Sequence, residues 1–330
     1  MSARDTHWDG VRLHIVTGKG GAGKTTVAAA LAVALAAGGR QTLLVEVEGR
    51  QGIAQLFDSP PLPYGEHKIA LAPDGGDVYA LAIDPEEALL EYLEMFYNLR
   101  RAGRALSRFG VVDFATAIAP GLRDVLLSGK AAEAVRRRRN DDTRMYDAVV
   151  MDAPPTGRIG RFLNVNAEVS GLARVGPIHN HSDNVMSVIR SPETAVHFVT
   201  TLEEMPVQET VDGIEELRSL ALPVGGIAIN MMQPSLLSKR DLDAAARGEV
   251  DTDELVQGLK AAGIDAGEET VGALTGELVD HARRMALQRK ERRRLARPGV
   301  PRYELPLLAD GADLGGLYRL AEALRAQGAA

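Results

Sequence analysis

The chain has 330 residues, 45% hydrophobic and 25% charged, enough apolar material for a sizeable core and no bias toward global disorder. Its net charge of −7 and pI near 5.6 argue against general nucleic-acid binding. With no cysteine, disulfides, thiolate zinc sites, iron–sulfur clusters and thiolate-bound arsenite are all excluded.

Residues 1–10 (MSARDTHWDG) form a polar leader without the apolar segment of a signal peptide, and no run approaches the roughly 18 apolar residues of a membrane span. A cytoplasmic protein is expected, reaching a membrane only through a partner. Val11 to Thr17 (VRLHIVT) reads as the first strand, and Val27 to Leu35 as an alanine-rich helix stopped by Gly38-Gly39. Between them lies Gly18-Lys19-Gly20-Gly21-Ala22-Gly23-Lys24-Thr25-Thr26, which fits G-x-x-x-x-G-K-[ST] in its strand–loop–helix context. Glycines there let backbone N–H groups turn inward around an anion, and the new helix presents its positive end to it. Lys24 is placed to reach β- and γ-phosphates and the Thr25 hydroxyl to ligate Mg²⁺. Lys19 is a second lysine, early enough in the loop to reach a nucleotide in a facing subunit, as an arginine finger does.

Gln41 to Val47 (QTLLVEV) is apolar enough for a strand buried on both faces, and the loop after it carries Glu48 and Arg50 at a carboxyl strand end. Residues 58–77 are rich in proline and glycine and predict a loop with a short edge strand, before a third strand at Val78 to Ile83. Asp84-Pro85-Glu86-Glu87 opens a helical insertion over 86–139, with Leu93, Met95, Phe96 and Tyr97 apolar around much of one helix. The Arg136 to Arg139 run ends that region. Asp147 to Met151 predicts a buried strand. Residues 165–194 are expected to be irregular, with His179 and His181 lacking the neighbours of a metal site.

Further strands are expected at Ala195 to Thr200, Val224 to Ile229 and Arg302 to Leu305. A helix from Val207 to Leu220 joins the first two. Residues 234–297 form a second helical, polar segment beside the insertion. A last helix carries Leu314, Leu317, Leu320 and Leu324 as an apolar stripe. The alternation predicts one α/β domain over 1–330, a mostly parallel twisted sheet flanked by helices. Asp152, at the end of an apolar strand, needs a compensating partner for its buried charge, and Mg²⁺ opposite Thr25 is one. Gly157 lies where a γ-phosphate can draw in a backbone N–H, and Arg158 and Arg161 follow it. Glu46 is either a partner of the site or a helix-facing charge.

The loop K-G-G-x-G-K-T-T resembles the deviant Walker A of dimeric ATPases. D-A-P-P-T-G-R-I-G-R-F-L (152–163) is more specific and resembles the second switch of the arsenical-pump and tail-anchored-protein targeting ATPases. L-L-V-E-V-E-G-R (43–50), P-G-L-R-D-V-L-L-S-G-K (120–130), M-P-V-Q-E-T (205–210) and I-A-I-N (227–230) extend the likeness over nearly the whole chain, most like the paired anion-transporting-type ATPases of actinobacteria. The resemblance implies a P-loop NTPase fold, ATP/ADP and Mg²⁺ as ligands, and a dimer with a second copy or a related chain. It also implies a protein client at the helical insertion, Asn230 on adenine, and Pro306 and Leu307 beside the ring. The family places an aspartate in its first switch to orient the attacking water. This chain has Glu48, one methylene longer.

Three functions are thereby expected to compete: a dimeric switch ATPase, a non-hydrolysing nucleotide-binding subunit of a heterodimer, and a membrane-positioning ATPase using the terminal stripe.

Overall fold

The computed structural model describes residues 7–97, 121–172, 177–235, 237–309 and 311–330. The middle of the expected 86–139 insertion lies outside the described residues, as do the side chains of Leu93, Met95, Phe96, Tyr97, His179 and His181.

The strands are β1 (Leu13–Gly18), β2 (Gln41–Glu46), β3 (His67–Leu71), β4 (Asp77–Ala82), β5 (Ala148–Asp152), β6 (Thr194–Thr200), β7 (Val224–Met232) and β8 (Arg302–Pro306). They form one eight-stranded sheet in the order β3-β4-β2-β5-β1-β6-β7-β8. Every neighbouring pair is parallel except β3 with β4, so the expected edge strand exists and runs antiparallel.

Because strand side chains alternate in direction, each central strand feeds two cores. Leu13, Ile15, Leu43, Val45, Val149, Met151, Val196 and Phe198 pack on one face, against the helices Leu122–Arg136, Thr156–Leu172, Pro177–Ile189 and Glu204–Ser219. Val16, Leu44, Val150 and Val199 pack on the other, against the helices Lys24–Ala36 and Leu314–Ala326. Burial on both faces explains why these strands read as continuous apolar runs. The Lys24–Ala36 helix is buried from Val27 to Ala36, since sheet and C-terminal helix cover both its sides. Its alanines permit that close approach, and Gly38 and Gly39 at positive φ (79° and 85°) end it.

Two expectations change. Residues 165–194 are largely helical rather than irregular, in the helices Thr156–Leu172 and Pro177–Ile189. Val165, Val185, Met186, Val188 and Ile189 are buried there, so packing on the sheet overrides a sequence diluted by Asn, Ser and Gly. Most of the terminal stripe is core: Leu317, Leu320 and Leu324 are buried against the Lys24–Ala36 helix, while Leu314 at its start stays exposed. Residues 239–294 hold three helices, Lys239–Ala246, Thr252–Ala261 and Glu268–Arg294. Among the described residues, no helix is long and apolar enough to cross a membrane.

Candidate nucleotide site

The chain crosses from one side of β1 to the other as it leaves β5 for β6, and ligands of open parallel sheets bind at the carboxyl ends beside such a reversal. Residues 18–26 leave β1 at this point and run into the Lys24–Ala36 helix. Gly21 and Gly23 hold positive φ (85° and 86°), a region costly for side-chain-bearing residues. Gly18 and Gly23 are also sterically required. A Cβ on Gly18 would lie 2.1 Å from the Val199 carbonyl oxygen, and one on Gly23 would lie 2.4 Å from Asn230 Nδ2. Gly20 and Gly21 face open space.

Thr25 and Asp152 meet directly. The Thr25 hydroxyl donates to Asp152 Oδ2 at 2.7 Å, while Asp152 Oδ1 is buried without a partner. Burial raises the Asp152 carboxyl from its usual range to about 6, against the opposing pull of the Thr25 hydrogen bond and Lys24. The neighbouring carboxylates of Glu46 and Glu48 add to the rise. The Thr17 hydroxyl donates to the Pro154 carbonyl at 2.7 Å, stitching β1 to the segment after β5.

Glu46 sits opposite Asp152 in the sheet register and is buried. Its Oε2 accepts the backbone N–H of Ile53 at 3.2 Å, so it fastens the Gly52–Leu56 helix, and its Oε1 is unpartnered. That turn lies over the loop, with Gly52 close enough that a Cβ would stand 3.3 Å from Thr25 Cγ2. Glu48 lines a cavity of about 210 Å³ with Arg50, Arg123, Asp124, Pro154 and Arg158. Its carboxylate is 3.8 Å from the exposed Arg50 guanidinium. Gly157 stands in the first turn of the Thr156–Leu172 helix with open space above it. Arg158 lies 3.9 Å from Asp124, whose carboxyl is raised by burial.

Asn230 is buried, and its Nδ2 donates to the Ala22 carbonyl at 3.0 Å, which leaves Oδ1 as an acceptor. Asn230 and Leu307 line one cavity of about 320 Å³, joined by Met231, Met232, Arg284, Leu287 and Gln288. Pro306 is held in β8 opposite Met232 and does not line it. The wall from the Glu268–Arg294 helix has no motif in the sequence. Lys19 points to an unexpected place: its ammonium donates to Glu209 of the same chain at 2.8 Å.

A glycine loop between a central strand and a buried helix, with a contact from the helix's first-turn threonine to an aspartate ending the adjacent strand, defines a P-loop nucleotide-binding protein. The chain belongs to the anion-transporting ATPase family, whose model matches residues 11–191. ATPase BagA of Mycobacterium tuberculosis is 56% identical over 319 residues, covering 97% of this chain and 94% of BagA. ATPase GET3 of Kluyveromyces lactis is 26% identical over 252 residues, covering 66% of this chain and 71% of that one. The arsenical pump-driving ATPase of Escherichia coli is 26% identical over 250 residues, covering 70% of this chain and 41% of that one.

Proposed function

We propose that the chain is an ATP- and Mg²⁺-dependent switch ATPase, working as a pair with a second copy or a related chain. The observation that carries this reading is the Thr25–Asp152 contact at the mouth of the glycine loop. A hydroxyl and a buried carboxylate with one unpartnered oxygen form the hard oxygen set that Mg²⁺ takes, so Thr25 and Asp152 are the residues to hold it, directly or through water. Bound there, Mg²⁺ would neutralise developing charge on the phosphates.

The remaining roles belong to the chain's own groups. Backbone N–H groups of residues 18–26 cradle the phosphates, and Lys24 offsets charge on the β- and γ-phosphates. Glu48 accepts a hydrogen bond from the attacking water. That water's oxygen bonds to the γ-phosphorus as the bond to the bridging oxygen breaks. Gly157 offers its N–H to the γ-phosphate, which lets the Thr156–Leu172 helix distinguish ATP from ADP. Asn230 Oδ1 accepts from the amino group of adenine, with Leu307 against the ring. Lys19 completes the pocket of the facing chain. ATP then closes the pair and hydrolysis opens it, changing the region 86–139 where a client protein would dock.

Phosphate release by the purified chain tests the reading. A loss of roughly a hundredfold or more in Lys24→Ala supports it. Turnover equal to that of the Lys24→Ala control favours a nucleotide-binding subunit whose partner hydrolyses.

A further inference from the structure

The Lys19–Glu209 ion pair joins the loop lysine to a helix that contributes nothing else to the phosphate cradle. We propose that Glu209 is a latch that holds Lys19 within its own chain, and that closure of the pair exchanges this carboxylate for a phosphate of the facing chain's nucleotide. The inference rests on the dimeric reading above and names what opposes closure.

Three observations support the exchange. The pair is formed at 2.8 Å between side chains 32% and 36% exposed, near enough to solvent for Lys19 to leave without crossing the core. Glu209 itself is held in place. Its helix, Glu204–Ser219, is seated backbone-close on its neighbours, since a Cβ on Gly213 would lie 2.5 Å from Thr156 Cγ2 and 2.8 Å from Phe198 Cε1. At the other side, Arg294 donates to Gln208 and pairs with the buried Glu291 at 2.7 Å. Lys19, between Gly18 and Gly20, is therefore the partner free to move.

The chemistry sets the direction. Glu209 carries negative charge beside a loop built to receive a triphosphate, and among the described residues Lys19 is the cation paired with it. When Lys19 crosses to the facing chain it gains a phosphate and leaves this carboxylate uncovered. Closure without nucleotide offers no replacement anion, so the latch keeps empty chains apart. Thr156 opens the Thr156–Leu172 helix and packs against Gly213, one turn along from Glu209 on its helix.

The test is the ATP concentration that half-saturates dimer formation, measured by sedimentation with Mg²⁺ on the complex as isolated. Glu209→Gln is isosteric at a half-exposed site, and its melting temperature serves as the fold control. We expect it to lower the midpoint about two- to fivefold, the range of a partly exposed ion pair. The gap should narrow as salt rises. Glu209→Asp should lie near wild type, and kcat at saturating ATP should stay unchanged. An unchanged or raised midpoint in Glu209→Gln, with melting intact, overturns the latch. A wild-type complex that shows no ATP-dependent association overturns the dimeric reading instead.

Discussion

The hydroxyl of Thr25 donates to Asp152 Oδ2 across 2.7 Å, linking the first turn of the Lys24–Ala36 helix to the last residue of β5. Each residue holds the other where a hard cation would be bound. Asp152→Asn keeps the shape and removes the charge, and Thr25→Ala removes the hydroxyl. Steady-state phosphate release should fall about 10²- to 10³-fold in either variant. Nucleotide binding measured without Mg²⁺ should change little. Equal losses with and without Mg²⁺ would point to collapse of the loop.

Glu48 shares its cavity with Pro154 and Arg158, in the segment that follows β5. If it positions the water, Glu48→Gln lowers turnover roughly a hundredfold and leaves ATP affinity intact, since misplacing a reacting group costs about that much. Turnover within twofold of wild type would assign the water to another group. Glu48→Asp keeps the carboxylate one methylene further back and should retain turnover in the same assay.

Gly23 and Asn230 pack together where the loop meets the cavity lined by Asn230 and Leu307. A methyl at position 23 would drive into Asn230 Nδ2 at 2.4 Å and sit at a φ of 86°. The left-handed backbone alone costs about 1–2 kcal/mol. Gly23→Ala should therefore lower both melting temperature and ATP affinity. Asn230→Leu removes the donor to the Ala22 carbonyl, and roughly tenfold weaker ATP binding is expected by calorimetry.

Away from the site, His14 and His197 are stacked and buried, with His14 Nδ1 and His197 Nε2 3.0 Å apart. The N–H of Gly226 donates to His197 Nδ1, so His197 Nε2 carries the hydrogen and donates to His14. Burial lowers His14 from 6.5 to about 4, and burial together with His14 holds His197 well below 6.5. The folded pair stays neutral while the unfolded chain takes up protons near pH 6.5. Stability is thus whole above that pH and is lost as pH falls from 6.5 toward 4. For His14 alone the loss by pH 5 is about 2 kcal/mol. Melting curves from pH 7.5 to 5 should show the decline, and His14→Gln should flatten it. A flat native profile would contradict the assignment.

Local strings made much of this site legible before any coordinates. The glycine loop and Asp152 each sit at a strand end that its own apolar run announces, Thr25 follows in the helix the loop opens, and β1, β2 and β5 lie side by side in the sheet. Asn230 and Leu307 followed from family likeness, and one cavity brings them together. Glu209 lay in a quoted stretch but had no role, because it meets Lys19 across 190 residues of sequence and no periodicity encodes that. Glu46 was ambiguous for the same reason: its work as a cap for Ile53 depends on where the chain turns after β2. The helices across 156–189 were missed in part because small and polar residues hid a period that burial on the sheet enforces.

The account turns on where the Lys19 ammonium goes when nucleotide arrives. A crystal structure of the complex with a non-cleavable ATP analogue and Mg²⁺ measures it directly. Lys19 should leave Glu209 and contact a phosphate oxygen of nucleotide held by the facing chain. Lys19 still seated on Glu209, in a chain with nothing opposite its nucleotide, would contradict the account.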